Sequence, residues 1–182
     1  MDAERAGAVE VVTHEKGDEI LFEPDREPAA SEEIDLAIRL LAASRRVLLA
    51  TLEGASDALL DWDPPYRRFA SWADWRTIRA TLAHVANGET HYYTRCIGFE
   101  CSSKPATPHD DWQAFLPRSR AEAVAFPRSV ASSPDRARVA TPDLGFGAEP
   151  WSVRKALRRM VRHEILHGRS IRRIAAAWRA TS

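Results

Sequence analysis

The chain has 182 residues, 45% hydrophobic and 29% charged, and its 26 basic and 26 acidic side chains cancel. That is enough for one domain with a sizeable core, or one domain plus an appendage, and the overall charge names no partner. No apolar run approaches a membrane span and the first residues are acidic rather than a basic signal peptide, so no membrane partner is expected and the cytoplasm is the default location.

Charge is unevenly distributed along the chain. Residues 1–33 carry eleven Asp/Glu against three Lys/Arg, whereas 151–182 carry nine Arg/Lys against the single acid Glu164. An acidic arm and a basic last helix can attract each other, or each can be solvated. Residues 1–30 read as that arm. Val9–Thr13 and Glu19–Glu23 are short and β-prone around a Lys16-Gly17-Asp18 turn, which suggests a hairpin. Two strands alone are marginal in water, so the hairpin should pack on the main body or on a second copy, or be the leftover edge of a larger fused domain.

The domain proper is expected over 31–182. Ser31 is placed to cap a first helix, with Glu32 and Glu33 in its first turn where the helix dipole favours acids. Ile34, Ile38, Leu41, Leu48 and Leu52 give its ridge, and the Asp63-Pro64-Pro65 run should end it. Tyr66, Phe69, Trp72 and Trp75 crowd the next connection, as in a lid folded onto the body. A second helix starts near Thr77 and carries Ile78, Leu82 and Val85 towards Ile97, with His84 in that ridge. A connector over 98–116 follows. Pro117 suits the first position of a third helix reaching about Ser132, which Pro127 should kink or shorten. Residues 132–150 read as loop with a strand-like turn near Val139. The fourth helix runs from Ser152 to about Trp178. Cys96 and Cys101 give no disulfide framework and are read as reduced.

Two histidines stand one turn apart on the fourth helix. With His163 at zero on a helical wheel, Ala156, Met160, His167, Ile171, Ile174 and Trp178 fall between about 20° and 80°, while Lys155, Arg158, Arg162, Arg169 and Arg173 fall opposite. Both imidazoles therefore lie on the core stripe. A buried imidazole without partners costs about 1–3 kcal/mol, and an all-helical core has few spare backbone groups to offer. One metal ion supplies a partner for both rings. His91 is an outside candidate; His14 and His109 sit in polar segments and read as surface.

His163-Glu164-Ile165-Leu166-His167 also spells H-E-x-x-H, a zinc-protease signature in which the glutamate is general base. No His, Asp, Glu or Cys follows His167, and no sheet precedes the helix to hold a peptide. A third ligand must come from upstream, and His84 is best placed.

Trp75-Arg76-Thr77-Ile78-Arg79-Ala80-Thr81-Leu82-Ala83-His84-Val85, together with Trp151-Ser152-Val153-Arg154-Lys155-Ala156-Leu157 and the later His163-x-x-x-His167, resembles the DinB-like superfamily of metal-binding four-helix bundles. The resemblance covers about residues 31–180. It implies an all-α, up-down-down-up bundle with a long crossover between the second and third helices. It also implies a divalent ion, zinc or nickel, held by His84, His163 and His167 with coordination positions left open. Some members look like transferases in which the metal activates a low-molecular-weight thiol such as bacillithiol or mycothiol, which implies a small-molecule substrate here; a homodimer is compatible. The acidic arm departs from the family pattern. Glu164 can orient a ligand, act as a base or pair with a neighbouring arginine. The competing readings are a non-catalytic metal-binding bundle serving assembly, a zincin-like metallohydrolase, and nucleic-acid binding by the arginine face, which lacks stacking platforms for bases.

Overall fold

The computed structural model describes residues 20–65, 74–131, 139–141 and 150–181. Helix α1 spans Ser31–Thr51, α2 Asp57–Leu60, α3 Ile78–Asn87, α4 Thr94–Cys96, α5 Trp112–Val130 and α6 Val153–Thr181. Between α3 and α4 lies a π turn, Gly88–Tyr93, so that α3, the π turn and α4 form one unbroken helical rod. Strands β1 (Val139–Ala140) and β2 (Trp151–Ser152) make a two-residue antiparallel ladder, with Val139 opposite Ser152 and Ala140 opposite Trp151. The chain is mostly helical, as its periodicities require.

The amphipathic stripes decide the packing. Helices α1 and α6 share the most extensive interface, and α3 with its π turn packs against both α5 and α6. One buried cluster gathers Ile34, Leu41, Tyr93, Trp151, Val153 and Met160. The other gathers Leu48, Leu82, Phe115, Leu116, Ile171 and Ile174. Each such aliphatic or aromatic side chain withdrawn from water is worth about 1.5–3 kcal/mol. The α6 stripe read from sequence is the buried one: Ala156, Met160, Ile171 and Ile174 are all inaccessible, with Trp178 packed at the margin.

Helix starts follow local chemistry, with some departures from expectation. Thr77 caps α3 by accepting from the Ala80 N–H at 3.2 Å. Ser31 is not a cap but the first helical residue of α1; Ala30 holds the cap position and Glu33 accepts from its N–H at 2.8 Å. The Ser31 hydroxyl is used instead to reach the Ala131 carbonyl at 3.0 Å, tying the start of α1 to the end of α5. Helix α1 stops at Thr51, before the proline run, because Gly54 adopts a φ of 70°, a conformation that other residues avoid. Pro117 does not open the third helix. Asp111 accepts from the Gln113 N–H at 2.9 Å and starts α5 five residues earlier, leaving both Pro117 and Pro127 inside it. The connector before α5 is correspondingly shorter. Helix α6 begins at Val153, with the Ser152 hydroxyl oxygen accepting from the Lys155 N–H at 3.1 Å.

Lys155 is a second departure. Wheel geometry puts it among the solvated arginines, yet it is fully buried. The β1–β2 ladder covers this end of α6; there the ammonium donates to the Pro150 carbonyl at 2.9 Å and lies 4.0 Å over the Trp151 ring. Most of the expected hairpin, including Val9–Thr13, lies outside the described residues. Where the arm enters view, Glu23–Arg26 is a single 3-10 turn rather than the end of a strand. That turn docks on the last helix through buried Asp25, which takes Arg158 at 2.5 Å, while Glu33 takes Arg154 at 2.5 Å. Two acids of the N-terminal segment thus pair with arginines of the last helix. Among the described residues no helix is long and apolar enough to cross a membrane.

Candidate metal centre

Three imidazoles meet where α3 crosses α6. His84 comes from α3, seven residues past its Thr77 cap, and His163 and His167 come from adjacent turns of α6. One ligand nitrogen from each ring lies within 4.8 Å of the other two. Nε2 of His84 stands 3.0 Å from Nε2 of His163. Ring centroids are 4.9, 4.7 and 4.4 Å apart for the 84–163, 84–167 and 163–167 pairs. Nitrogens sharing a tetrahedral ion at about 2.1 Å stand roughly 3.4 Å apart, which falls between the 3.0 Å of the His84–His163 pair and the 4.8 Å bound on the set.

The local sequence allows so close an approach in two ways. A methyl group added at Gly88 would stand 2.7 Å from Cε1 and 3.2 Å from Nδ1 of His163. Only a residue without a side chain leaves room for that ring. Gly88 also opens the π turn, whose i→i+5 spacing is rare and recurs at functional sites. Its neighbours stabilise the widened turn: the Thr90 hydroxyl donates to the Ala86 carbonyl at 3.0 Å and the Thr94 hydroxyl to the Thr90 carbonyl at 2.8 Å.

Aromatic rings wall the cluster. Trp75 stacks on His84 with centroids 3.6 Å apart and planes 15° apart, and lies edge-on to His167 at 6.1 Å. Tyr93 is edge-on to His163 at 5.5 Å. Burial drives the His84 imidazole down to about 4, with Asp74 pulling weakly the other way. Burial also pushes His163 well below its ordinary value, assisted by His167, His84 and Arg159. Both rings are therefore neutral at pH 7 and present lone pairs. Nδ1 of His163 is buried with no hydrogen-bond partner among the described residues. A proton shared between His84 and His163 would serve two rings; a cation at the meeting point would serve three.

Glu164, the glutamate of H-E-x-x-H, faces elsewhere. It is buried, and its carboxylate receives Nε of Arg45 at 2.7 Å and Nη2 of Arg45 at 3.0 Å. Arg120 approaches its second oxygen at 3.1 Å. Burial alone would raise this carboxyl, but the Arg45 hydrogen bonds and the charges of Arg45 and Arg120 hold it below the ordinary carboxylate range. Glu89, inside the π turn, joins the same cluster by accepting from Arg45 at 3.2 Å and from Arg120. Of the roles open to Glu164, pairing with arginine is the one the structure shows.

Sequence reasoning missed Arg45, Glu89 and Arg120. A signal existed for two of them. Arg45 falls on the α1 ridge between Leu41 and Leu48, and Glu89 falls one turn past Val85 on the α3 ridge, so both were charges at core positions. Arg120 had no such mark. His91 stays apart from the three-histidine cluster and lines a separate cleft with Arg95, Glu100 and Cys101. His109 is exposed, and His14 lies outside the described residues, as do Tyr66, Phe69 and Trp72 of the expected lid. Cys96 and Cys101 are free thiols.

A family model for the DinB superfamily matches residues 40–171, more than two thirds of the chain and a span that includes all three clustered histidines. No curated protein and no solved structure matches the chain.

Proposed function

The chain belongs to the DinB superfamily, and from that premise we propose that it is a divalent-metal-dependent protein that acts on a small molecule, with His84, His163 and His167 as the metal ligands. The observation that supports this reading most is the convergence of three neutral imidazoles, their ligand nitrogens within 4.8 Å of one another, with Gly88 making the room for it. Zinc and nickel suit three nitrogen donors. Bound there, such an ion supplies Lewis acidity that lowers the pKa of a coordinated thiol or water towards neutrality.

The chain's own residues do the remaining work. Burial keeps the His84 and His163 rings deprotonated, so their lone pairs need not be freed from a proton before binding. Trp75 holds the plane of His84 by stacking and shields it from water, and Tyr93 does the same for His163 from its edge. Three protein ligands fall short of a closed four-ligand site, which leaves room for an exogenous ligand. Thiol transfer is the finer reading, supported by membership of the superfamily and by a donor set without carboxylate or thiolate. Zincin-like hydrolysis is disfavoured by a specific contact: Glu164, which would have to be the base, is clamped by Arg45 at 2.7 Å.

Metal analysis of protein purified without chelators tests the ligand set. About one equivalent of divalent ion should accompany the wild-type chain and be lost from His84→Ala and His163→Ala. Retention of the ion by both variants refutes the site. Screening the loaded protein for transfer of bacillithiol or mycothiol to electrophiles tests the finer reading.

A further inference from the structure

The charged cluster beside the histidines joins one side chain from each of four elements: Arg45 from α1, Glu89 from the π turn, Arg120 from α5 and Glu164 from α6. Its charges balance. Arg45 grips both oxygens of Glu164 at 2.7 and 3.0 Å, reaches Glu89 at 3.2 Å and donates Nη1 to the Leu116 carbonyl at 3.0 Å. Arg120 closes the ring by donating to Glu89 and lying 3.1 Å from Glu164. Arg45, Glu89 and Glu164 are buried. As a source of stability this is an odd construction, because desolvating four charges offsets much of their mutual attraction and apolar residues of similar volume would do as well or better.

What the ring does is fix positions. Glu164 follows His163 directly in the chain, and Glu89 follows Gly88 directly, the glycine whose Cα faces the His163 ring. The two carboxylates thus clamp the backbone on both sides of the one contact where ring and glycine meet. We propose that Arg45, Glu89, Arg120 and Glu164 are positioning residues that hold His163 in register with His84. The inference rests on the metal-site reading above. It assigns the glutamate of H-E-x-x-H a role in aligning its neighbouring ligand, through the backbone, without touching metal or substrate. Directional bonds can do this where oily contacts cannot, since a bidentate arginine–carboxylate pair fixes angle as well as distance.

Cobalt(II) titration of the metal-free chain tests it, read by the visible ligand-field spectrum and by the dissociation constant. Glu164→Gln should weaken cobalt binding about 10–100-fold, the range for residues that orient ligands from outside the coordination shell, and alter the spectrum. Arg120→Gln, at the more accessible rim of the ring, should do the same more mildly and serves if Glu164→Gln does not fold. Leu60→Ala, which opens a cavity at α2 and touches neither a histidine nor the ring, provides a control of lowered stability and should leave the spectrum unchanged. A wild-type spectrum and affinity in whichever ring variants fold overturn the positioning role while leaving the metal site standing. Absence of cobalt binding by the wild-type chain overturns both.

Discussion

Gly88→Ala separates the two demands placed on one helical turn. In an ordinary helix interior, alanine is better than glycine by roughly 0.5–1 kcal/mol. At Gly88 the new methyl would lie 2.7 Å from Cε1 of His163, about 1 Å inside the roughly 3.5–4.0 Å optimum for carbon atoms. The ring cannot simply retreat, because His84 stands 3.0 Å from its Nε2 and the His167 centroid is 4.4 Å away. Overpacking of this kind costs about 1–3 kcal/mol, so the helix gain is offset and net destabilisation should be between about zero and 2.5 kcal/mol. Metal affinity should respond far more, by at least the ~10–100-fold expected when a ligand's support is disturbed. Urea denaturation of the metal-free protein and competitive zinc titration measure the two effects. A variant that is more stable than wild type with unchanged zinc affinity would refute the account of Gly88 as the seat of the His163 ring.

Arg45→Ala leaves two buried carboxylates facing each other and should destabilise the chain by about 3–5 kcal/mol, read from urea midpoints, whereas exposed Arg39→Ala should cost almost nothing. In the metal-free protein, His84 titrates near 4 when folded against 6.5 in its ordinary state. The unfolded chain then holds more protons within that window, so this group's contribution to stability falls as pH drops from 6.5 to about 4 and is flat above it. Denaturation at about pH 5 and about pH 7 should show a smaller difference in His84→Leu than in wild type. Arg158→Ala removes the partner of buried Asp25 and should loosen the 3-10 turn that precedes α1. Limited proteolysis should then cut between residues 20 and 30 faster than in the wild type, and equal rates would contradict docking by that pair.

The three clustered histidines were legible because their signals were local and periodic. His163 and His167 four apart on the apolar stripe of α6, and His84 within the ridge of α3, need only the helical repeat to be placed on inward faces. What that repeat cannot encode is an interruption of itself. The π turn at Gly88–Tyr93 adds a residue to one turn, and nothing in Gly-Glu-Thr-His-Tyr-Tyr announces it. The start of α5 was misplaced for a related reason. Pro117 offers a strong first-position signal, but the Asp111 cap operates six residues upstream and the helix tolerates the missing proline donor. Lys155 was lost to tertiary context, since its side of α6 is buried where Pro150 and Trp151 of the β2 segment meet its ammonium.

The same five letters, H-E-x-x-H, therefore carry different chemistry according to what lies beside the helix. His163 and His167 are about 40° apart on the wheel, whereas Glu164 is about 100° from His163. That separation is wide enough for the glutamate to meet a different neighbour from the one its flanking histidines meet. In this chain the neighbours are α1 and α5, each presenting an arginine. A carboxylate in bidentate contact with a buried guanidinium is held ionised and occupied, so it has neither the free lone pair nor the access that a general base needs. Had position 45 been leucine, as the α1 ridge would suggest, Glu164 would be a buried acid with Arg120 as its remaining cation, and its proton affinity would rise. The motif's meaning is thus set by Arg45, a residue on another helix and 119 positions away.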